Sequence, residues 1–144
     1  MRASGFRAAN TAASIPIPVA NQYVKVLFSN KQFDLDNEYN ATTSTFIAKT
    51  AGVYHFNASI IFQADINIDY QLGIAVTVNR NSSDVDNEFS DENSPFMTTL
   101  EINTIVQLNA GDSVEIFALS STPGQIIARE DIRFAGARFP SPLT

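Results

Sequence analysis

From Gly52 onward the chain alternates with unusual regularity: Tyr54, Phe56, Ala58, Ile60 and Phe62 are apolar, and His55, Asn57, Ser59 and Gln63 between or after them are polar. Successive side chains of a strand point to opposite faces, so a period of two predicts a strand with one face in a core and the other in water. The same pattern returns at Tyr70, Leu72, Ile74, Val76 and Val78, and again at Leu100, Ile102, Thr104, Val106 and Leu108. A shorter run places Val24, Val26 and Phe28 on one face with Lys25 outside, and Val114–Leu119 is apolar on both faces. Ile132–Phe139 closes the series before Pro140 and Pro142. Pro16 and Pro18 lack a ladder donor, so Ile15–Val19 is expected at an edge.

Between these runs the chain turns. Asn109-Ala110-Gly111-Asp112 and Ser120–Gln125 have turn composition, and Asn30–Asn40 reads as a short strand entered and left by turns. Residues 81–95 lose the alternation and carry five carboxylates without a base, which predicts the longest loop. Residues 1–14 begin with Arg2, Phe6 and Arg7 and drift through a small polar stretch, A-A-N-T-A-A-S, and are expected to be partly flexible with a short strand near Phe6.

About eight to ten short strands with no helical period predict an all-β sandwich or barrel in a single domain spanning residues 1–144. Its expected core is Phe46, Tyr54, Phe56, Ile60, Phe62, Leu72, Ile74, Val76, Leu100, Ile102, Val106 and Val114. Phe6, Ile105, Phe117, Leu119 and Phe139 fall on faces that the alternation assigns to the outside, where clustered apolar groups would mark self-association.

Composition narrows the chemistry. The 144 residues contain no cysteine, so thiol catalysis, thiolate-bound zinc and disulfides are excluded. A net charge of −6, with nine scattered basic residues, argues against nucleic acid as a partner. No apolar run is long enough to insert in a bilayer, and the N-terminal residues lack the apolar middle of a signal peptide. The expectation is a cytoplasmic protein, or a module cut from a longer exported one.

His55 is the sole histidine and lies on the polar face of a strand, so a nucleophilic triad has little to build on. Asp84, Asp86, Glu88, Asp91 and Glu92 could supply the hard oxygens that calcium prefers, although the segment lacks the central glycine of an EF-hand loop. We take Asp84, Asp86, Glu88 and Asp91 as candidate calcium ligands. Asp34, Asp36 and Glu38 alternate, which reads either as the wet face of an edge strand or as carboxylates for glycoside hydrolysis. The absence of tryptophan weighs against a sugar-cleaving site. Asn40-Ala41-Thr42, Asn57-Ala58-Ser59 and Asn81-Ser82-Ser83 match the N-glycosylation pattern, with Asn57 placed unfavourably inside a strand.

The stretch Phe46-Ile47-Ala48-Lys49-Thr50-Ala51-Gly52-Val53-Tyr54-His55-Phe56 resembles the F-x-A-P-x-A-G-x-Y-x-F signature of complement C1q globular heads, with Lys49 where proline is usual. Val26–Asn30 with Phe33-Asp34, Val106–Val114 around Gly111-Asp112, and Phe134–Ala137 resemble further family segments in the same order. The resemblance implies a ten-stranded jelly roll of two five-stranded sheets, shared with tumour necrosis factor ligands and assembled as a homotrimer. It assigns turn positions to Gly52, Gly111, Asp112 and Gly136. It turns the sheet with the first, the 98–108 and the last strands toward the three-fold axis, making Phe6, Ile105 and Phe139 interface candidates. It implies a non-enzymatic head for surface recognition, adhesion or assembly, with a protein or carbohydrate surface ligand, borne extracellularly on a stalk. The cysteine-free, Asn-rich composition resembles bacterial or phage members, including heads of collagen-like spore-surface glycoproteins. A phage receptor-binding tip is the alternative.

Overall fold

The computed structural model describes residues 3–90 and 97–140, with the backbone alone for 82–90. Among the described residues the chain forms thirteen strands: β1 Gly5–Asn10, β2 Ile15–Ile17, β3 Val24–Lys25, β4 Asn30–Asp34, β5 Tyr39–Asn40, β6 Thr45–Ile47, β7 Gly52–Ala64, β8 Tyr70–Val78, β9 Asn81–Ser90, β10 Met97–Leu108, β11 Ser113–Ser120, β12 Gly124–Ile126 and β13 Arg129–Arg138. They form an all-β jelly roll of two antiparallel sheets. One sheet runs β2-β12-β7-β13-β1-β4, with β10 on the opposite edge of β7. The other runs β5-β6-β11-β8-β9, with β3 also on β11. Seven and six strands replace the expected five and five, because the short pieces β2, β3, β5 and β12 add to the sheets.

The two apolar faces meet in one core. Tyr54, Phe56, Ile60 and Phe62 project from β7 toward Leu72, Ile74 and Val76 of β8 and Val114 and Ile116 of β11, all buried. Phe46, Leu100 and Ile102 are buried with them, while Val106, near the end of β10, is only partly covered. At about 25 cal/mol per Å2 of apolar surface removed from water, each large side chain contributes about 1.5 to 3 kcal/mol.

Several expectations are corrected. Phe6 is not on an outer face: it is 2 % exposed, stacked on Tyr39 at 4.8 Å and Phe46 at 5.1 Å and edge-on to Phe134 at 5.0 Å. It faces inward with Ala8, whereas Arg7 between them faces out. The small inward alanines gave too little apolar contrast to set the parity. The N-terminal stretch accordingly holds a strand hydrogen-bonded on both sides, to β13 and β4. Residues 81–90 form the edge strand β9, paired with β8 from Val78↔Asn81 to Tyr70↔Ser90, instead of a loop. An edge strand needs little apolar content, and its charges discourage further pairing.

Asp34, Asp36 and Glu38 do not form a solvated row either. β4 ends at Asp34, whose carboxylate accepts hydrogen bonds from the backbone N–H of Glu38 at 3.1 Å and Tyr39 at 2.9 Å. Asp36 and Glu38 are buried in the following turn. Gly136 lies within β13, opposite Phe56, and not in a turn. A Cβ there would stand 2.5 Å from Phe56 Cδ1, so glycine makes room for the ring.

Candidate assembly face

The outer surface of the seven-stranded sheet is built row by row from its register. Nearest the two described chain ends, Ile105 of β10, His55 of β7, Ala137 of β13 and Gly5 of β1 lie side by side. Val53 and Gln107 form the adjacent row, and Phe139 donates its backbone N–H to the Val53 carbonyl at 2.8 Å. Leu35 closes over the other side, with Cδ1 3.6 Å from the position a Gly5 Cβ would take. Ile105 is 62 % exposed, Leu35 56 %, Phe139 46 % and Val53 40 %, so one end of this face is an open apolar patch.

The next rows are polar. Asn103, Asn57, Ala135 and Arg7 follow, then Glu101, Ser59 and Arg133. Arg7 is held locally by Gln32 Oε1 and lies 5.6 Å from the Phe33 ring centre. His55 and Asn57 are half-buried on this face, with no carboxylate or hydroxyl bonded to the imidazole among the described residues. Of the apolar residues expected outside, Phe117 and Leu119 are half-buried on the other sheet.

Several polar groups elsewhere serve the fold. Glu38 accepts hydrogen bonds from Ser4 Oγ at 2.6 Å and from the Lys49 backbone N–H at 2.9 Å. Burial pushes the Tyr39 phenol up to about 12, and its hydroxyl donates to the Phe28 carbonyl at 2.7 Å. Gly111 takes the turn with φ of 93°, a left-handed value that favours glycine. Beside it, Asp112 accepts from Asn79 Nδ2 at 3.0 Å and the Asn109 N–H at 2.8 Å, which holds its carboxyl below the ordinary value. Gly52 opens β7 beside the Arg138 side chain.

No group of three or more metal-ligating side chains occurs among the described residues. The backbones of Asp84, Asp86 and Glu88 lie in β9, and Asp91 is outside the described residues. A cleft of about 530 Å3 opens between Lys31, Asn37, Asn40, Thr42, Ile47 and Lys49. Among the described residues Glu38 is the one carboxylate lining it, and it is already bonded as above.

The C1q domain model matches residues 6–137. The chain belongs to the C1q family. Among solved structures, this C1q domain is similar to the globular domain of zebrafish complement 1qA protein, with 19 % identity over 92 % of this chain and 94 % of that one and a TM-score of 0.60. It is also similar to the Eiger TNF of S. frugiperda, at 10 % identity, 100 % and 97 % coverage and a TM-score of 0.66. At these identities the likeness is one of fold. No curated protein matches the chain. C1q domains are modules for recognition and assembly, found mostly outside cells or at their surfaces, and C1q and TNF-like domains commonly form homotrimers.

Proposed function

We propose that this C1q domain is a non-enzymatic head that assembles as a homotrimer through the outer face of its seven-stranded sheet and uses the multivalent head to recognise a protein or carbohydrate surface. The carrying observation is the patch of Val53, Ile105, Phe139 and Leu35, four large apolar side chains at 40 % exposure or more on one end of one sheet face. Contiguous exposed apolar surface of this kind is better covered by a partner, and a second copy always supplies the same patch. Ile105 and Phe139 are in place to contribute; Phe6 is withdrawn, since its side chain is in the protomer core. The head would stand on a stalk at a cell or spore surface, as the resemblance to collagen-like spore proteins suggests.

The test is solution mass by light scattering. A trimer has three times the 15.7 kDa of one chain. Replacing Ile105 with Asp should lower the mass toward one protomer while leaving the far-ultraviolet circular dichroism unchanged, because Ile105 contributes little to the protomer core. A wild-type protein that is monomeric at every concentration removes the multivalent head. Repeating the measurement in EDTA tests whether calcium at the acidic 84–91 segment supports assembly.

A further inference from the structure

Two opposite charges on the same face have no ion-pair partner among the described residues. Glu101 on β10 and Arg133 on β13 both lie opposite Ser59 of β7, on its two sides, and both are exposed. Each strand step is about 4.8 Å, which sets their backbones about 10 Å apart, and neither makes an ion pair among the described residues. Between them is a depression of about 130 Å3 lined by Asn57, Ser59, Asn103 and these two side chains. The neighbouring charges differ: Arg7 has Gln32 and the Phe33 ring, and Arg129 has Asp131 at 3.2 Å.

If the face is covered by a second copy, as proposed above, both charges leave bulk water. An unpaired charge in an interface is strongly unfavourable, whereas a close opposite charge offsets much of that cost. The acid sits on the β10 side of the face and the base on the β13 side, so a copy related by rotation can bring its β13 side over the first copy's β10 side. The depression offers room there for an incoming side chain.

We infer that Glu101 of one protomer pairs with Arg133 of a second copy of this chain, fixing the register with which the two faces meet. The inference rests on the assembly reading, whose apolar patch supplies adhesion but little registration. Chemically, the occupant of the Glu101 side of the depression is a guanidinium from another copy.

A charge-swap cycle tests it. Wild type, Glu101→Arg, Arg133→Glu and the double variant are compared by sedimentation over a dilution series, with circular dichroism confirming that each keeps its fold. Each single reversal should raise the protomer concentration at half-dissociation about tenfold or more, and the double reversal should recover most of that loss. The wild-type assembly should also weaken between low and high salt more than a Glu101→Gln, Arg133→Gln double variant does. Wild-type assembly with singles that behave like wild type, or with a double variant no better than the worse single, overturns the pairing and leaves the assembly standing. A monomeric wild type overturns both.

Discussion

Replacing Phe6 with alanine separates two roles that an aromatic residue near the start of the chain could have. On an interface it would govern mass; in the protomer core it governs folding. The structure gives the second role, with the ring 2 % exposed and three aromatic partners at 4.8 to 5.1 Å. Burial loss and the resulting cavity make a Phe→Ala change cost about 3 to 5 kcal/mol, and loss of the stacked and edge-on pairs places this site toward the upper part of that range. Against a typical total of about 5 to 15 kcal/mol, that is a large fraction of the stability. For a chain of this length a loss of about 4 kcal/mol lowers the melting temperature by roughly 10 to 20 °C. The assay is thermal unfolding followed by circular dichroism at one fixed protomer concentration, since assembly makes the midpoint depend on concentration. Ile105→Ala is the reference, expected to cost less than about 0.5 kcal/mol in the protomer itself. A Phe6→Ala protein that melts with wild type but loses assembled mass would refute the placement of this ring.

Gly136→Ala should destabilise by about 1 to 3 kcal/mol in urea unfolding, because its Cβ would meet Phe56 Cδ1 at 2.5 Å and the His55 carbonyl oxygen at 3.0 Å. An unchanged urea midpoint would mean that Phe56 can move aside freely. Glu38→Ala strands the Ser4 hydroxyl and the Lys49 N–H, for an expected loss of about 2 to 3 kcal/mol by the same measurement; a loss below about 0.5 kcal/mol would show that water replaces the carboxylate. Tyr39 makes stability sensitive to alkali. Its phenol stays protonated in the folded state up to about 12, while the unfolded chain releases that proton near 10. Stability from this group is therefore complete below about pH 10 and falls by about 1.4 kcal/mol per pH unit until about pH 12. Urea unfolding at stepped alkaline pH should show this slope reduced in Tyr39→Phe, and equal slopes would refute it.

What the sequence made legible depends on contrast between neighbouring residues. In β7 the polar His55, Asn57 and Ser59 alternate with the apolar Tyr54, Phe56, Ala58 and Ile60, most of them large, so strand, parity and core face could all be read directly. In β1 the inward residue after Phe6 is Ala8, and the period of two lacked the amplitude to say which way Phe6 pointed. β9 is held by backbone pairing to β8, which leaves no trace in side-chain hydropathy. The spacing of Asp34, Asp36 and Glu38 mimicked one face of a strand; in fact the Asp34 carboxylate caps a turn by accepting two backbone N–H groups, a role set by backbone direction. Ile105 and Phe139 were recognisable as outward apolar groups, but Leu35 and Val53 join their patch only through the register and the loop after β4. The Glu101 and Arg133 pair was hidden for the same reason, since residues 32 positions apart become neighbours only across β7.

The position of β13 has a consequence for how the protein is made. The last strand of the described residues does not close an edge; it lies between β7 and β1 in the middle of its sheet. Until Arg129–Arg138 leaves the ribosome, β1 and β7 each present an unsatisfied ladder edge to whatever else is nearby. Such edges are templates for pairing with other chains, and contacts spanning nearly the whole sequence are slow to form. The nascent domain is thus held open, with its sheet in two parts, until Arg129–Arg138 has been made. A chain cut short before Arg129 would keep both edges exposed permanently and be prone to aggregate.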